Sequence, residues 1–194
     1  MSIIATDLDG TIFKGQTLID GVKEGLLKII NEGIEIYYTT NNSSQTPSEI
    51  KDKLENLLQF DIDISKIITP LVIFQNLYSD DKLNIFIYGS DNLKNYIKNL
   101  NINVTSLENS ELVLIGRKEE NNFSEINDII KYVSLGKNIL SLNKDLTFPT
   151  EFGEKAGNGA VVKIIEDELS ISIPTLGKSG DHYSSYFIQN KITV

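Results

Sequence analysis

Asp7 and Asp9 stand two residues apart at the end of the apolar run Ile3-Ile4-Ala5-Thr6, directly before Gly10-Thr11. Paired carboxylates there offer hard oxygen ligands to Mg²⁺, an ion that binds oxygen and keeps several of its waters. Asp7 could also attack phosphorus and form an aspartyl-phosphate, a covalent route open to carboxylates. Thr40 ends a second β-rich run, Ile34 to Thr40, and opens the turn Asn41-Asn42-Ser43-Ser44. Its hydroxyl and the free N–H groups of such a turn can donate to equatorial phosphoryl oxygens as charge builds on them. Lys178 follows the apolar segment Ile173 to Leu176. An ammonium beside a sheet crevice offsets both nucleophile and phosphoryl charge.

Chemistry of this kind needs elements that bring distant residues together. Ile3 to Asp7 reads as a buried parallel strand broken by Gly10. Asp20 is the expected N-cap of a helix with Val22, Leu26, Leu27, Ile29 and Ile30 on one face, ending at Gly33. Thr46-Pro47-Ser48-Glu49 carries a cap, an N1 proline and an N3 glutamate in capping-box order. Strand, helix and strand in sequence imply right-handed parallel crossovers, so Asp7 and Thr40 should share one sheet edge, where ligands of open α/β sheets bind. Further on, helices are expected from Thr69-Pro70, over Asp91 to Leu100, from Ser124 to Val133 and from Ala160 to Glu168. Strands are expected at Leu83 to Tyr88, Leu112 to Ile115, Asn138 to Leu142 and Ile171 to Leu176, with Lys178 opening a last helix.

Asp7-Leu8-Asp9-Gly10-Thr11 resembles the first motif of the haloacid dehalogenase (HAD) superfamily, whose commonest members are Mg²⁺-dependent phosphatases. Thr39 to Thr46 is similar to its second motif and Gly177-Lys178-Ser179 to its third. Asn143 to Thr150 followed by Gly157-Asn158-Gly159-Ala160 resembles the class IIA, NagD-like group, so the likeness covers nearly the whole chain. The resemblance implies an α/β fold: a Rossmann-like core with a parallel sheet over residues 1–68 and 176–194, and an inserted C2-type α/β cap over 69–175. It implies Asp7 as nucleophile, Asp9 as general acid and base, Thr40 and Lys178 as catalytic, and Asp7 and Asp9 as ligands of Mg²⁺. Gly10, Thr11, Thr40, Asn41, Asn42 and Lys178 would bind phosphate, and Asn143 and Asp145 would line the cap face, although Asx residues in loops also form turns.

The superfamily's fourth motif, an acidic cluster completing the metal site, is expected after a strand beginning at Asn190-Lys191-Ile192-Thr193-Val194. Gly180-Asp181 reads as a helix start instead, and a site of Asp7 with the Asp9 carbonyl alone would hold Mg²⁺ weakly. Val194 would then lie near a sheet edge able to pair with another chain, through which, or through the cap, the protein could self-associate. The net charge of −9 over 194 residues argues against nucleic acid as a partner. No apolar stretch approaches membrane-spanning length, and the absence of cysteine fits a cytoplasmic protein. His182 reads as a surface residue, and Arg117 could face substrate. The leading function is a Mg²⁺-dependent phosphomonoester hydrolase acting on a small phosphorylated metabolite. The alternatives are a phospholigand-binding or assembly protein that keeps the fold, a mutase-like phosphotransferase, and a receiver domain. The last is disfavoured because both aspartates follow one strand.

Overall fold

The computed structural model describes residues 2–79, 82–150, 153–190 and 192. The chain opens with β1 (Ile3–Asp7), a hairpin of β2 (Phe13–Lys14) and β3 (Thr17–Leu18), α1 (Val22–Asn31), β4 (Glu35–Thr39) and α2 (Pro47–Leu58), and a single 3-10 turn, Ile64–Lys66, leads into β5 (Ile67–Ile68). Strands β1, β4 and β5 form a parallel sheet in that order, with Asp7 opposite Thr39 and Thr39 opposite Ile68. Next come α3 (Pro70–Tyr78), β6 (Asn84–Tyr88), α4 (Asp91–Asn99), β7 (Asn103–Val104), β8 (Leu112–Ile115), α5 (Phe123–Ser134) and β9 (Asn138–Ser141). Their four strands form a second parallel sheet in the order β7-β6-β8-β9. The hairpin of β10 (Thr147–Thr150) and β11 (Gly153–Ala156), then α6 (Asn158–Leu169) and α7 (Asp181–Gln189), complete the elements. Among the described residues, no helix is long and apolar enough to cross a membrane.

Strand alternation builds two packed faces on the second sheet. Ile85, Ile87, Leu112 and Leu114 face a cluster with Leu71, Phe74, Leu93 and Phe187, whereas Tyr88, Val113 and Ile115 face Ile126, Ile129, Val162 and Ile165. The first of these clusters also takes in Ile68 and packs against Ala5 and Tyr37, so α3 and α7 join the two sheets. On the other face of the first sheet, Leu8, Ile36, Tyr38, Ile50, Leu54 and Leu58 pack together. That packing holds α2 beside the ends of β1 and β4.

Several expectations need correction. Gly21, at φ +80°, caps α1 without a side-chain hydrogen bond, and Asp20 lies one residue outside. The expected strand at residues 171–176 reduces to a bridge between Thr175 and Ser141, because Pro174 has no N–H for a ladder and contributes only its carbonyl to Ser141 N. Lys178 does not open a helix: Gly180 N bonds Gly177 O at 2.8 Å, closing a turn, and α7 starts at Asp181. The second strand stops at Thr39, leaving Thr40 just past its end. In the stretch proposed as a terminal strand, Asn190 caps α7 and Ile192 lies outside regular structure; Lys191, Thr193 and Val194 are not among the described residues.

Candidate active site

The turn after β1 is wound tightly. Leu8 O receives N–H bonds from Thr11, Ile12 and Phe13, and Gly10 N donates to Phe13 O at 2.8 Å. Gly10 adopts φ +82°, which a residue without Cβ takes up at little cost. The amides of Gly10 and Thr11, expected to bind phosphate, are therefore spent on the turn that aims Asp7 and Asp9. Register does the rest: Asp7 opposite Thr39 puts Thr40 one residue beyond the Asp7 rung.

Lys178 Nζ contacts Asp7 Oδ1 at 2.5 Å across 171 residues of chain. Both side chains keep solvent exposure, 31% for the lysine and 47% for the aspartate, so the carboxylate is open to an incoming group. Thr40, itself 2% exposed, donates its hydroxyl to Asp9 Oδ2 at the long distance of 3.5 Å and accepts from Asn42 N at 3.0 Å. The Asp9 carboxyl is held above the ordinary aspartate range, chiefly by loss of water around it and further by the charge of Asp7, against the opposing pull of Lys53, Thr40 and Lys178. Asp9 keeps some surface in solvent.

The loop after Thr40 is clamped from several sides. Asn42 Oδ1 accepts from Ser44 N at 2.9 Å and Asn42 Nδ2 donates to Gln45 Oε1 at 2.9 Å, closing the turn with its side chain. Asn143, 6% exposed, donates from Nδ2 to Asn41 O at 2.8 Å and to Ser43 Oγ at 3.1 Å. Asp145 Oδ1 accepts from Asn41 Nδ2 at 3.1 Å. Thus Asn143 and Asp145 meet the second-motif loop, while the Asn143 carbonyl accepts from Ser141 Oγ at 2.5 Å and from Asn158 Nδ2 at 2.7 Å. Gly159 lets them do so, since a Cβ there would stand 2.1 Å from Lys144 O.

Two cations escaped the sequence reading in this role. Lys53 lies 3.6 Å above the Phe13 ring; burial lowers its ammonium pKa, and the charge of Asp9 opposes that. With Gln16, Gln45, Glu49, Asp52, Asn56 and Leu57 it lines an open cavity of about 340 Å³. The signal was present as the i, i+4, i+7 spacing of Glu49, Lys53 and Asn56 on the face of α2 opposite Ile50, Leu54 and Leu58. Arg117 stacks 3.8 Å above the Phe148 ring, and its Nη1 reaches Ser44 Oγ at 3.4 Å, so it ties the β10–β11 hairpin to the second-motif loop.

Asp7 and Asp9 stand close enough for the charge of one to act on the other. Asp7 presents an exposed carboxylate beside a second acidic group, and among the described residues no cluster of three acidic, imidazole or thiol groups gathers anywhere.

The chain is similar to several known proteins. An acid sugar phosphatase from Staphylococcus haemolyticus is 29% identical over 174 residues, covering 89% of this chain and 66% of the relative. The chain therefore spans about two thirds of the length of the curated relatives it matches. A p-nitrophenyl phosphatase from Archaeoglobus fulgidus superposes with a TM-score of 0.87 at 19% identity, covering 97% of this chain and 72% of the other. A glycerol phosphate phosphatase from Mycobacterium tuberculosis, solved in complex with magnesium, gives 0.81 at 22% identity, covering 98% and 58%. At such identities these two likenesses speak to fold alone. The model of the haloacid dehalogenase-like hydrolases matches residues 4–103, more than half of the chain. With its DxDGT turn, its threonine and its lysine converging at one sheet edge, the chain belongs to the haloacid dehalogenase-like hydrolase family.

Proposed function

We propose that this chain carries the catalytic core of a Mg²⁺-dependent phosphomonoester hydrolase acting on small phosphorylated metabolites. The observation that carries the reading is the Lys178–Asp7 contact beside Asp9 and Thr40. Sugar phosphates are the substrate class to try first, in view of the relatives' names. Residues 69–175 act as the cap and residues 1–68 and 176–194 as the core.

In the first half-reaction an Asp7 carboxylate oxygen attacks phosphorus, the ester P–O bond breaks, and the leaving oxygen takes the Asp9 proton. A carboxyl held above its ordinary range is suited to arrive protonated. Thr40 and Lys178 donate to the phosphoryl oxygens as charge builds on them. In the second half-reaction water attacks the aspartyl-phosphate, Asp9 takes the water's proton, and phosphate leaves with Asp7 restored. Mg²⁺, held by the Asp7 carboxylate and the Asp9 carbonyl, would supply charge neutralisation.

The test is phosphate release from p-nitrophenyl phosphate and a sugar-phosphate panel, with and without Mg²⁺. Asp7→Asn should lower the rate roughly a thousandfold or more. Metal-independent turnover, or turnover that survives the substitution, would overturn the proposal.

A further inference from the structure

We infer that Asn41 is a positioning residue that couples the loop carrying Asn143 and Asp145 to the placement of Lys178. The inference rests on the phosphatase reading but concerns a different link in it.

Both ends of the Asn41 carboxamide are engaged, each with a partner more than a hundred residues away. Oδ1 accepts from Lys178 N at 2.7 Å, and Nδ2 donates to Asp145 Oδ1 at 3.1 Å. The Asn41 carbonyl accepts from Asn143 Nδ2 at 2.8 Å. Packing leaves little slack, because a Cβ on Gly177 would stand 2.9 Å from Asn41 Oδ1 and 3.1 Å from Asn143 Cβ. The expectation that Asn41 binds phosphate therefore fits its side chain poorly. Its oxygen instead fixes the backbone from which the Lys178 side chain reaches Asp7.

Direction matters in this chain of contacts. Asp145 is solvent-exposed, whereas Asn143 is buried, so a ligand touching the loop meets Asp145 first. A pull on its carboxylate passes through the Asn41 amide to the Lys178 N–H. An asparagine suits the link because one planar group both donates and accepts. An aspartate at position 41 would keep the bond to Lys178 N and set a carboxylate against Asp145.

The experiment is a double-mutant cycle read in two ways. Asn41→Asp should lower kcat for p-nitrophenyl phosphate about tenfold with a smaller change in KM, since misplacement of a catalytic group is felt mainly in turnover. Adding Asp145→Asn restores a donor facing an acceptor and should recover most of that loss. In the same samples, hydrogen exchange at the Lys178 amide should quicken about tenfold in Asp145→Ala, a variant that does not touch Lys178. Independent effects of the two substitutions on kcat, or a rise in KM alone, would make Asn41 a direct ligand and overturn the inference. Unchanged Lys178 exchange in Asp145→Ala would overturn it as well, even in a protein without phosphatase activity. Wild-type protein without Asp7-dependent turnover but with quickened exchange would sink only the phosphatase reading.

Discussion

At the scale of single residues, the Lys178–Asp7 pair separates stability from activity. Both side chains keep substantial contact with water, and exposed ion pairs contribute about 0–1 kcal/mol. In the proposed reaction the same ammonium acts where charge develops on the phosphoryl group, and losing one such donor typically costs about a hundred- to a thousandfold in kcat. Lys178→Met should therefore depress kcat on that scale while moving the thermal midpoint by no more than a few degrees. Parallel melting and steady-state measurements decide; a large loss of stability would mean that the pair is structural. Asn158 is the opposite case. It is 4% exposed, and its Nδ2 donates to Ile115 O at 3.2 Å and Asn143 O at 2.7 Å. Asn158→Leu would remove both bonds, although Ile115 O keeps Leu142 N and Asn143 O keeps Ser141 Oγ; at about 0.5–1.5 kcal/mol per lost bond, chemical denaturation should show a loss of about 1 kcal/mol or more.

Among the elements, α2 has the most explicit local instructions. Thr46 Oγ1 accepts from Glu49 N at 3.2 Å while Glu49 Oε2 accepts from Thr46 N at 2.6 Å, and Thr46→Ala should cost about 1 kcal/mol. The Thr46 N–H is the main cause of a Glu49 carboxyl held below its ordinary value. A depressed carboxylate contributes stability that is present above its unfolded value, near 4.3, and is lost as pH falls through the lower folded one. The stability gap between wild type and Glu49→Gln should then be widest above about pH 5 and close on acidification; a gap independent of pH would count against the cap as its source. That cap was legible because its four residues are contiguous. Asp7, Asp9, Thr40 and Lys178 were legible for a related reason, each lying next to a recognisable apolar run. What the sequence hid was short or made by distant partners. The two-residue strands β2, β3, β5 and β7 have no periodicity to read. Pro174 removed a ladder from a run that looked extended, and the tasks of Asn41, Asn143 and Asp145 exist only through contacts a hundred residues apart.

Across the whole molecule, charge opposes the reaction proposed for it. The chain carries 27 acidic and 18 basic side chains, a net charge of −9, and a phosphate monoester brings nearly two more negative charges at neutral pH. The long-range field therefore repels substrate, and among the described residues Lys178, Lys53 and Arg117 bring positive charge near the site against it. These two parts of the potential respond differently to salt. Exposed charges farther away than the Debye length, about 10 Å at 0.1 M, are screened, whereas contacts at hydrogen-bond distance largely survive. Raising NaCl from about 0.01 to 0.15 M at fixed Mg²⁺ should thus raise kcat/KM by a few fold and leave kcat nearly unchanged, because screening weakens the repulsion during encounter and does little to the bound state. Stopped and continuous assays across that range separate the alternatives. A kcat/KM that falls with salt would mean that positive potential at the mouth of the site outweighs the net charge, and would point to Lys53 and Arg117 as its source.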